Sequence, residues 1–350
     1  MALYTVYSLE EKNEWNKALS HLPLQLQDIY YSPEYYALYE NAGHGKAVCF
    51  VLSEKDKIAL YPFLLNRVPF IEELAYDIEG CYGYNGVVSN TNDASFQKLF
   101  FQEFEAYCEK THIIAEFTRF NPITDNAEFS QNFMNCIHDR NTVLLDLNDS
   151  EQTIWEKQFS SKNRNMIRKA QKADLEIVRE RSVEIFSAFY ELYFQTMKEV
   201  NAADFYFFKK EYFLQIQETI EGAWVYQAKL DGVVIGAILV LEYGCYAHYH
   251  LSARNTAYSK LAANNLLLFE AVKQAKQNGI SFFHFGGGNG GEKDSLFKFK
   301  QNFSKKTRPF HIGKKVRNQD MYDKVINLWR ETNKIDIQNE SNKLLRYKSF

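Results

Sequence analysis

Long apolar runs and closely paired cysteines are missing from this chain of 350 residues. No stretch approaches the ~18 consecutive apolar residues of a membrane span. The opening MALYTVYSLEEKNEW has no basic segment followed by an apolar one, so no signal peptide is expected. Five cysteines (Cys49, Cys81, Cys108, Cys136 and Cys245) are scattered with no C-x-x-C between them. That spacing disfavours a disulfide framework and a zinc site, and suits a reducing cytoplasm. Six prolines and 16 glycines are too few for a disordered or collagenous chain. There is no G-x-S-x-G, no Cys–His nucleophile pattern and no paired-carboxylate signature.

What is present is an ordinary globular composition, 46% hydrophobic and 24% charged, with aromatics raised to 16%. At roughly 100–200 residues per domain, two domains are the first expectation. The net charge of -3 hides a division: residues 1–156 carry 24 acidic and 10 basic residues, the remainder 20 acidic and 31 basic. Either the second half meets an anion or the two halves attract one another.

Periodicity supports a repeated unit. In the first half, Ser8 and Glu11 form a capping box for a helix near 9–19, and Ser32-Pro33 opens another. A hairpin follows over 46–65, then a Gly-broken segment at 81–89, a helix at 93–110 and strands at 112–118 and 142–147. The second half has helices near 151–173, 183–200 and 209–221, then a hairpin turning at Asp231-Gly232. A strand at 245–252, a helix at 261–279 stopped by Gly279, a strand at 281–285, a short helix at 294–302, a strand at 309–313 and a helix at 319–332 complete it. Each half reads helix, helix, hairpin, strand, helix, strand, with the boundary near 148 and a polar, frayed tail from about 334. The fold class expected is α/β (α+β), each unit a mixed sheet flanked by helices.

Three segments could carry chemistry. SSKNRNMIRKAQK (160–172) lies in a stretch, 157–172, with six basic residues and no acid. Arg164, Arg168 and Lys172 share a helix face at i, i+4, i+8 spacing, and a guanidinium fork suits phosphate; a solvated face is the plain alternative. FGGGNGGEKDSLFKFKQNF (285–303) contains G-x-G-x-x-G at Gly286, Gly288 and Gly291. Positions 298–317 hold eight Lys/Arg and no acid, so the acidic residue of a dinucleotide site is missing. No Walker loop is present either. The glycine loop could instead offer backbone N–H groups to an anion or oxyanion, or be a plain turn. On the helix after it, Lys298 and Lys300 point different ways, so only one can face a given site. His248 and His250 share a strand face, but no third metal ligand is placed by the sequence, and packed histidines are the better expectation. YGYNG (82–86) and FTRFNP (117–122) put Tyr84 and Arg119 at a bend and a strand end, where function commonly resides.

Taken in order, SSKNRNMIRKAQK, YHLSARN (249–255), LAANNLLLFEAVKQAKQNG, FHFGGGNGG and SLFKFKQNF resemble the Fem family of aminoacyl (peptidyl) transferases and the wider tandem GNAT-like acyltransferases. YGYNG and RFNP look like a subgroup met among bacterial surface-polysaccharide enzymes. The resemblance implies an N-terminal GNAT-like domain over 1–148 and a C-terminal one over 149–333 that carries the transfer site. It implies an acyl- or aminoacyltransferase acting on an amine of a phosphorylated peptidoglycan or surface-polysaccharide precursor. The donor would be aminoacyl-tRNA or acyl-CoA, with no bound cofactor, metal or DNA. The location would be cytoplasmic, with peripheral contact to a membrane-linked substrate. The family's Phe-Lys pair falls on Phe299 and Lys300, with Asp294, His284 and His250 as candidate bases. Lys162, Arg164, Arg168, Tyr84, Arg119, Tyr206, His250, Asn264, Gly287 and Gly288 form the expected substrate-binding set. The chain departs from the pattern in three places. It has no inserted helical hairpin, SKLAAN (259–264) stands where a GNAT pyrophosphate loop is expected, and Ser304 replaces a common glycine. A non-catalytic tRNA-binding module on the same fold is the alternative.

Overall fold

The computed structural model describes residues 4–69, 71–289, 294–333 and 344–348. In chain order its elements are β1 (Tyr4–Tyr7), α1 (Lys12–Ser20), α2 (Pro33–Asn41), β2 (Lys46–Glu54), β3 (Lys57–Arg67), β4 (Tyr76–Glu79), β5 (Val88–Ser89), α3 (Ala94–Thr111), β6 (Ile113–Arg119), α4 (Ala127–Ser130) and β7 (Asn135–Asp146). Then come α5 (Glu151–Thr153), α6 (Ser161–Gln171), β8 (Glu176–Glu180), α7 (Val183–Glu199), α8 (Lys210–Thr219), β9 (Ala223–Leu230), β10 (Val233–Tyr243), β11 (Tyr246–Arg254), α9 (Ala263–Gln277), β12 (Phe282–Gly286), α10 (Ser295–Gln301), β13 (Thr307–Val316) and α11 (Gln319–Asn333).

Two compact units result, and their bounds differ from the expected division at 148. The first is Met1–Asp139 with Phe310–Phe350; the second is Arg140–Pro309. In the first, β1, β2, β3 and β4 follow one another antiparallel, β6 joins β4 in parallel, and β13 pairs antiparallel with β6. In the second, β8, β9, β10 and β11 are antiparallel neighbours, β12 joins β11 in parallel, and β7 closes antiparallel on β12. The two patterns are the same. A helix pair follows the first strand of each, and a long helix, α3 or α9, makes each parallel crossover. The sixth strand of each unit is the long one that begins in the other: β7 crosses the boundary at 139/140 and β13 at 309/310.

Each core is built on its crossover helix. In the first unit Phe96, Phe100, Phe104 and Tyr107 of α3 recur at helical spacing and pack on Phe50, Tyr61 and Phe63 of the hairpin. In the second, Leu267, Ala271 and Ala275 of α9 face Ile238, Val240 and Ala247 of the sheet. The capping box at Ser8–Glu11 and the Ser32 cap with Pro33 after it both form.

Three expectations fail locally. The helix expected over 151–173 is broken: Ile154–Gln158 is a π-helical turn, Phe159 is extended, and Ser160 caps a new helix, α6. The Gly-broken segment at 81–89 is a turn ending in the two-residue β5, and short strands β4 and β8 were not anticipated. The tail is not frayed throughout. Leu345 and Tyr347 are buried against α11, and Lys348 bonds Glu79 and reaches the fully buried Asp77. The rest of that tail, 334–343 and 349–350, lies outside the described residues, as does Gly291 of the glycine motif.

Candidate active site

The glycine loop and α10 are a single construction. β12 ends at Gly286, whose φ of +73° is left-handed. Asp294 then caps α10, accepting the N–H groups of Leu296 at 2.6 Å and Phe297 at 2.9 Å, and it also accepts Asn289 N–H from the loop. A Cβ on Gly288 would overlap the Asp294 carboxylate, so this clamp requires glycine there. The N–H groups of Leu296 and Phe297 and that of Asn289 are therefore taken by Asp294. For the same reason Asp294 is a cap and clamp, not a base with a free carboxylate. The loop's carbonyls meet cations. Arg140 Nη1 donates to Gly288 O at 2.7 Å and Asn289 O at 3.2 Å, and Lys300 Nζ donates to Gly287 O at 2.6 Å.

Lys300 is the lysine of α10 that turns inward; it is 8% exposed, whereas Lys298 is exposed. Phe299 between them is half-buried, with its ring 5.7 Å from that of Phe303. The Lys300 ammonium lies 5.6 Å from the centre of the Tyr249 ring. Burial pushes it down to about 8, against the pull of Asp294. It stays predominantly protonated at neutral pH. Burial likewise raises the Tyr249 phenol to about 12.

The strands beside this lysine pair only briefly. β11 and β12 are in register over Tyr246–His248 and Phe282–His284; beyond His248, β11 continues to Arg254 paired with β10 but not with β12. Its pairing with β10 shifts between Leu239 and Val240, which makes His250 an extra, bulged residue. His250 Nε2 lies 2.9 Å from the Tyr212 hydroxyl of α8. Burial, then His248, pushes His250 down to about 3; burial, His248 and Lys300 hold His284 well below its usual value. Both imidazoles are neutral and too weak to serve as bases near pH 7. His248 and His284 pack edge-to-face at 5.6 Å, as packed strand histidines.

Residues 157–300 match the acetyltransferase (GNAT) domain family. Among solved structures, FemX shares 14% identity over 91% of this chain and 98% of its own, with a TM-score of 0.68. Residues 157–300 thus carry a GNAT acetyltransferase domain, and the chain shares the FemX fold. A tandem GNAT protein from the clavulanic acid biosynthesis pathway is similar at 11% identity, covering 89% and 98% with a TM-score of 0.51. So is the C-terminal domain of a putative lysylphosphatidylglycerol synthetase from Agrobacterium fabrum, at 14%, 93% and 96% with a TM-score of 0.54. At these identities the structural likenesses show the fold. No curated protein matches by sequence.

In this GNAT domain the basic stretch does less than its charge suggests. Arg164 Nη1 donates to the carbonyls of Trp155 at 3.2 Å, Glu156 at 3.1 Å and Phe159. Its guanidinium thus closes the C-terminal end of the π-turn, where carbonyls lack helical partners. Arg168 is exposed and lies 5.3 Å over the Trp155 ring, and Lys162 is exposed near the start of α6. Asn264 is half-buried at the start of α9, its side-chain oxygen next to the space left by Gly236. SKLAAN runs from the end of a 3-10 turn into α9, with Ala262 between them at a left-handed φ of +58°. Tyr206 lies in the turn between α7 and α8, its carbonyl accepting the Tyr193 hydroxyl at 2.8 Å. Tyr84 and Arg119 come together in the first unit around Phe310. Sequence reasoning missed Arg140, Tyr249 and Tyr212. No local pattern marks them, because each acts through a partner more than 30 residues away. Among the described residues no helix is long and apolar enough to cross a membrane.

Proposed function

We propose that this acyltransferase moves an activated acyl or aminoacyl group to an amine of a phosphorylated cell-envelope precursor, with Lys300 stabilising the transition state. The observation that carries the reading is a buried ammonium, fixed by the Gly287 carbonyl and the Tyr249 ring where β12 stops pairing with β11. The neutral amine attacks the ester or thioester carbonyl, and a C–N bond forms as the carbonyl oxygen takes the charge. The Lys300 ammonium compensates that charge in a site with little water to screen it. Collapse breaks the C–O or C–S bond, and the amine proton leaves to a basic group on the substrates, since Asp294 and the two histidines are unsuited. Holding both reactants in one orientation can contribute ~7–11 kcal/mol. The exposed cations Lys162, Arg168 and Lys169 of α6 are open to acceptor phosphates. The donor is aminoacyl-tRNA or acyl-CoA. SKLAAN, without glycine, is the feature least suited to the pyrophosphate of CoA.

Single-turnover transfer from a defined donor to a defined amine tests this. Lys300→Met keeps the stem and removes the charge, and should slow transfer by a factor of ~10²–10³ with little change in acceptor affinity. Lys298→Met should leave the rate unchanged. Equal rates for wild type and Lys300→Met would remove Lys300 from the chemistry. Salt-sensitive tRNA binding with no transfer under any donor would favour the binding-module reading.

A further inference from the structure

The first unit is rich in acids, and its buried arginine is accounted for by them. Arg317, at the end of β13, pairs with Glu116 and Glu105. Arg67 spends both terminal nitrogens on the carbonyls of Val68, Ile71, Glu72 and Ala75. Arg119 is different. Among the described residues its guanidinium makes one hydrogen bond, from Nε to the Gly83 carbonyl at 2.8 Å, and no ion pair. Both terminal amino groups are left, on a half-buried side chain at the end of β6.

Its position is fixed from several sides. Arg119 N–H donates to Asn85 Oδ1 at 2.8 Å, and Asn85 N–H returns a bond to Arg119 O at 2.7 Å. Gly83 has a φ of +105°, and a Cβ there would run into the Tyr30 ring, so only glycine can bring this carbonyl to Nε. The guanidinium carbon lies 5.5 Å from the centre of the Phe310 ring, which meets Tyr84 edge-on at 5.5 Å, and Tyr84 meets Tyr30 at 5.3 Å. Phe310, Tyr84 and Tyr30 are all buried. A guanidinium held through Nε and backed by an aromatic ring presents its two-pronged edge already oriented. That is the geometry which takes a carboxylate or phosphate bidentately at low entropic cost.

We propose that Arg119 is the anion-binding residue of a site in the first unit, taking a phosphate or carboxylate group of a substrate through its two terminal amino groups. Assigning that group to the acceptor rests on the transfer reading above; the binding itself does not.

The test uses the full-length protein with inorganic phosphate and, separately, succinate at constant ionic strength. Arginine modification by phenylglyoxal, mapped by mass spectrometry on the wild type, should be slowed at Arg119 by one of the two. Whichever protects better identifies the source as phosphate or carboxylate. By calorimetry Arg119→Gln should lose the same anion roughly ten- to a hundredfold, with Arg119→Lys in between because it keeps the charge but not the fork. Lys55→Ala, in an exposed turn of the same unit, should bind as wild type does. Lys300→Met should also retain the site, so failure of transfer and failure of this site are separable. Arg119 reacting equally with and without either anion, or a folded Arg119→Gln binding as wild type does, overturns the proposal.

Discussion

At the scale of single residues, Lys300 sets function against stability. Its ammonium is held near 8, below the 10.5 of a free lysine, first because it is buried. A depressed value means that the folded protein binds the proton less well than the unfolded chain does. The associated stability is present above pH 10.5 and is lost as pH falls through about 8. At neutral pH the buried charge therefore costs about 3 kcal/mol. Lys300→Met should be more resistant to urea than wild type at pH 7, with the gap closing at pH 10–11, while transfer is lost. The rate profile carries the complementary sign. An ammonium acting on an oxyanion loses activity as pH rises through about 8, whereas a lysine base would gain it, so kcat/KM against pH separates the two roles. Gly83 is a purely steric residue. Gly83→Ala must accept a left-handed φ and displace the Tyr30 ring, at roughly 2–4 kcal/mol, read as a lower midpoint in urea.

At the scale of elements, the basic segment shows how charge spacing misleads when a helix is interrupted. Arg164 and Arg168 are one turn apart, yet Arg164 folds back onto the carbonyls of the π-turn while Arg168 lies over Trp155. Arg164→Met should cost ~1–3 kcal/mol of stability by orphaning those carbonyls, with little direct effect on acceptor binding. Lys162→Ala should do the reverse, lowering acceptor affinity at unchanged stability. Paired urea and binding titrations decide it. The glycine loop behaves similarly. Its glycines permit close approach of Asp294, and its carbonyls, not its N–H groups, are turned to Lys300 and Arg140.

At the scale of the whole molecule, each unit is completed by a strand that starts in the other, and the first unit is assembled from two separate pieces of chain. Removing residues 310–350 would strip β6 of its antiparallel partner and take Arg317 from the buried Glu116. A chain ending at 309 should leave the first unit unfolded, seen as loss of protection from hydrogen exchange in β6 and α3 while α9 stays protected. The same cluster predicts acid sensitivity. Burial pushes Glu105 up, but Arg317 and Lys315 pull it down by more, leaving it below its usual 4.5. Its contribution is present above pH 4.5 and lost as pH falls through the lowered value. Arg317→Met should remove that part of the acid dependence and destabilise at neutral pH.

Local rules were sufficient wherever the deciding interaction lies within a few residues. Ser8 and Glu11, Ser32-Pro33, the Asp231-Gly232 turn and the heptad-like spacing of α3 and α9 each determined an element, since caps, turns and amphipathic faces are set by neighbours in sequence. Spacing on α10 also determined that Lys298 and Lys300 face different ways, because helical residues two apart diverge by ~200°. Only the tertiary structure decided which lysine is buried, that Asp294 is a cap, and that Arg164 turns Nη1 to backbone carbonyls. It alone placed Gly83 beneath Arg119, residues 36 positions apart. The exchange of β7 and β13 was invisible for the same reason. A strand's hydrophobic pattern says that it needs a neighbour, and only the closed sheet says which unit supplies it.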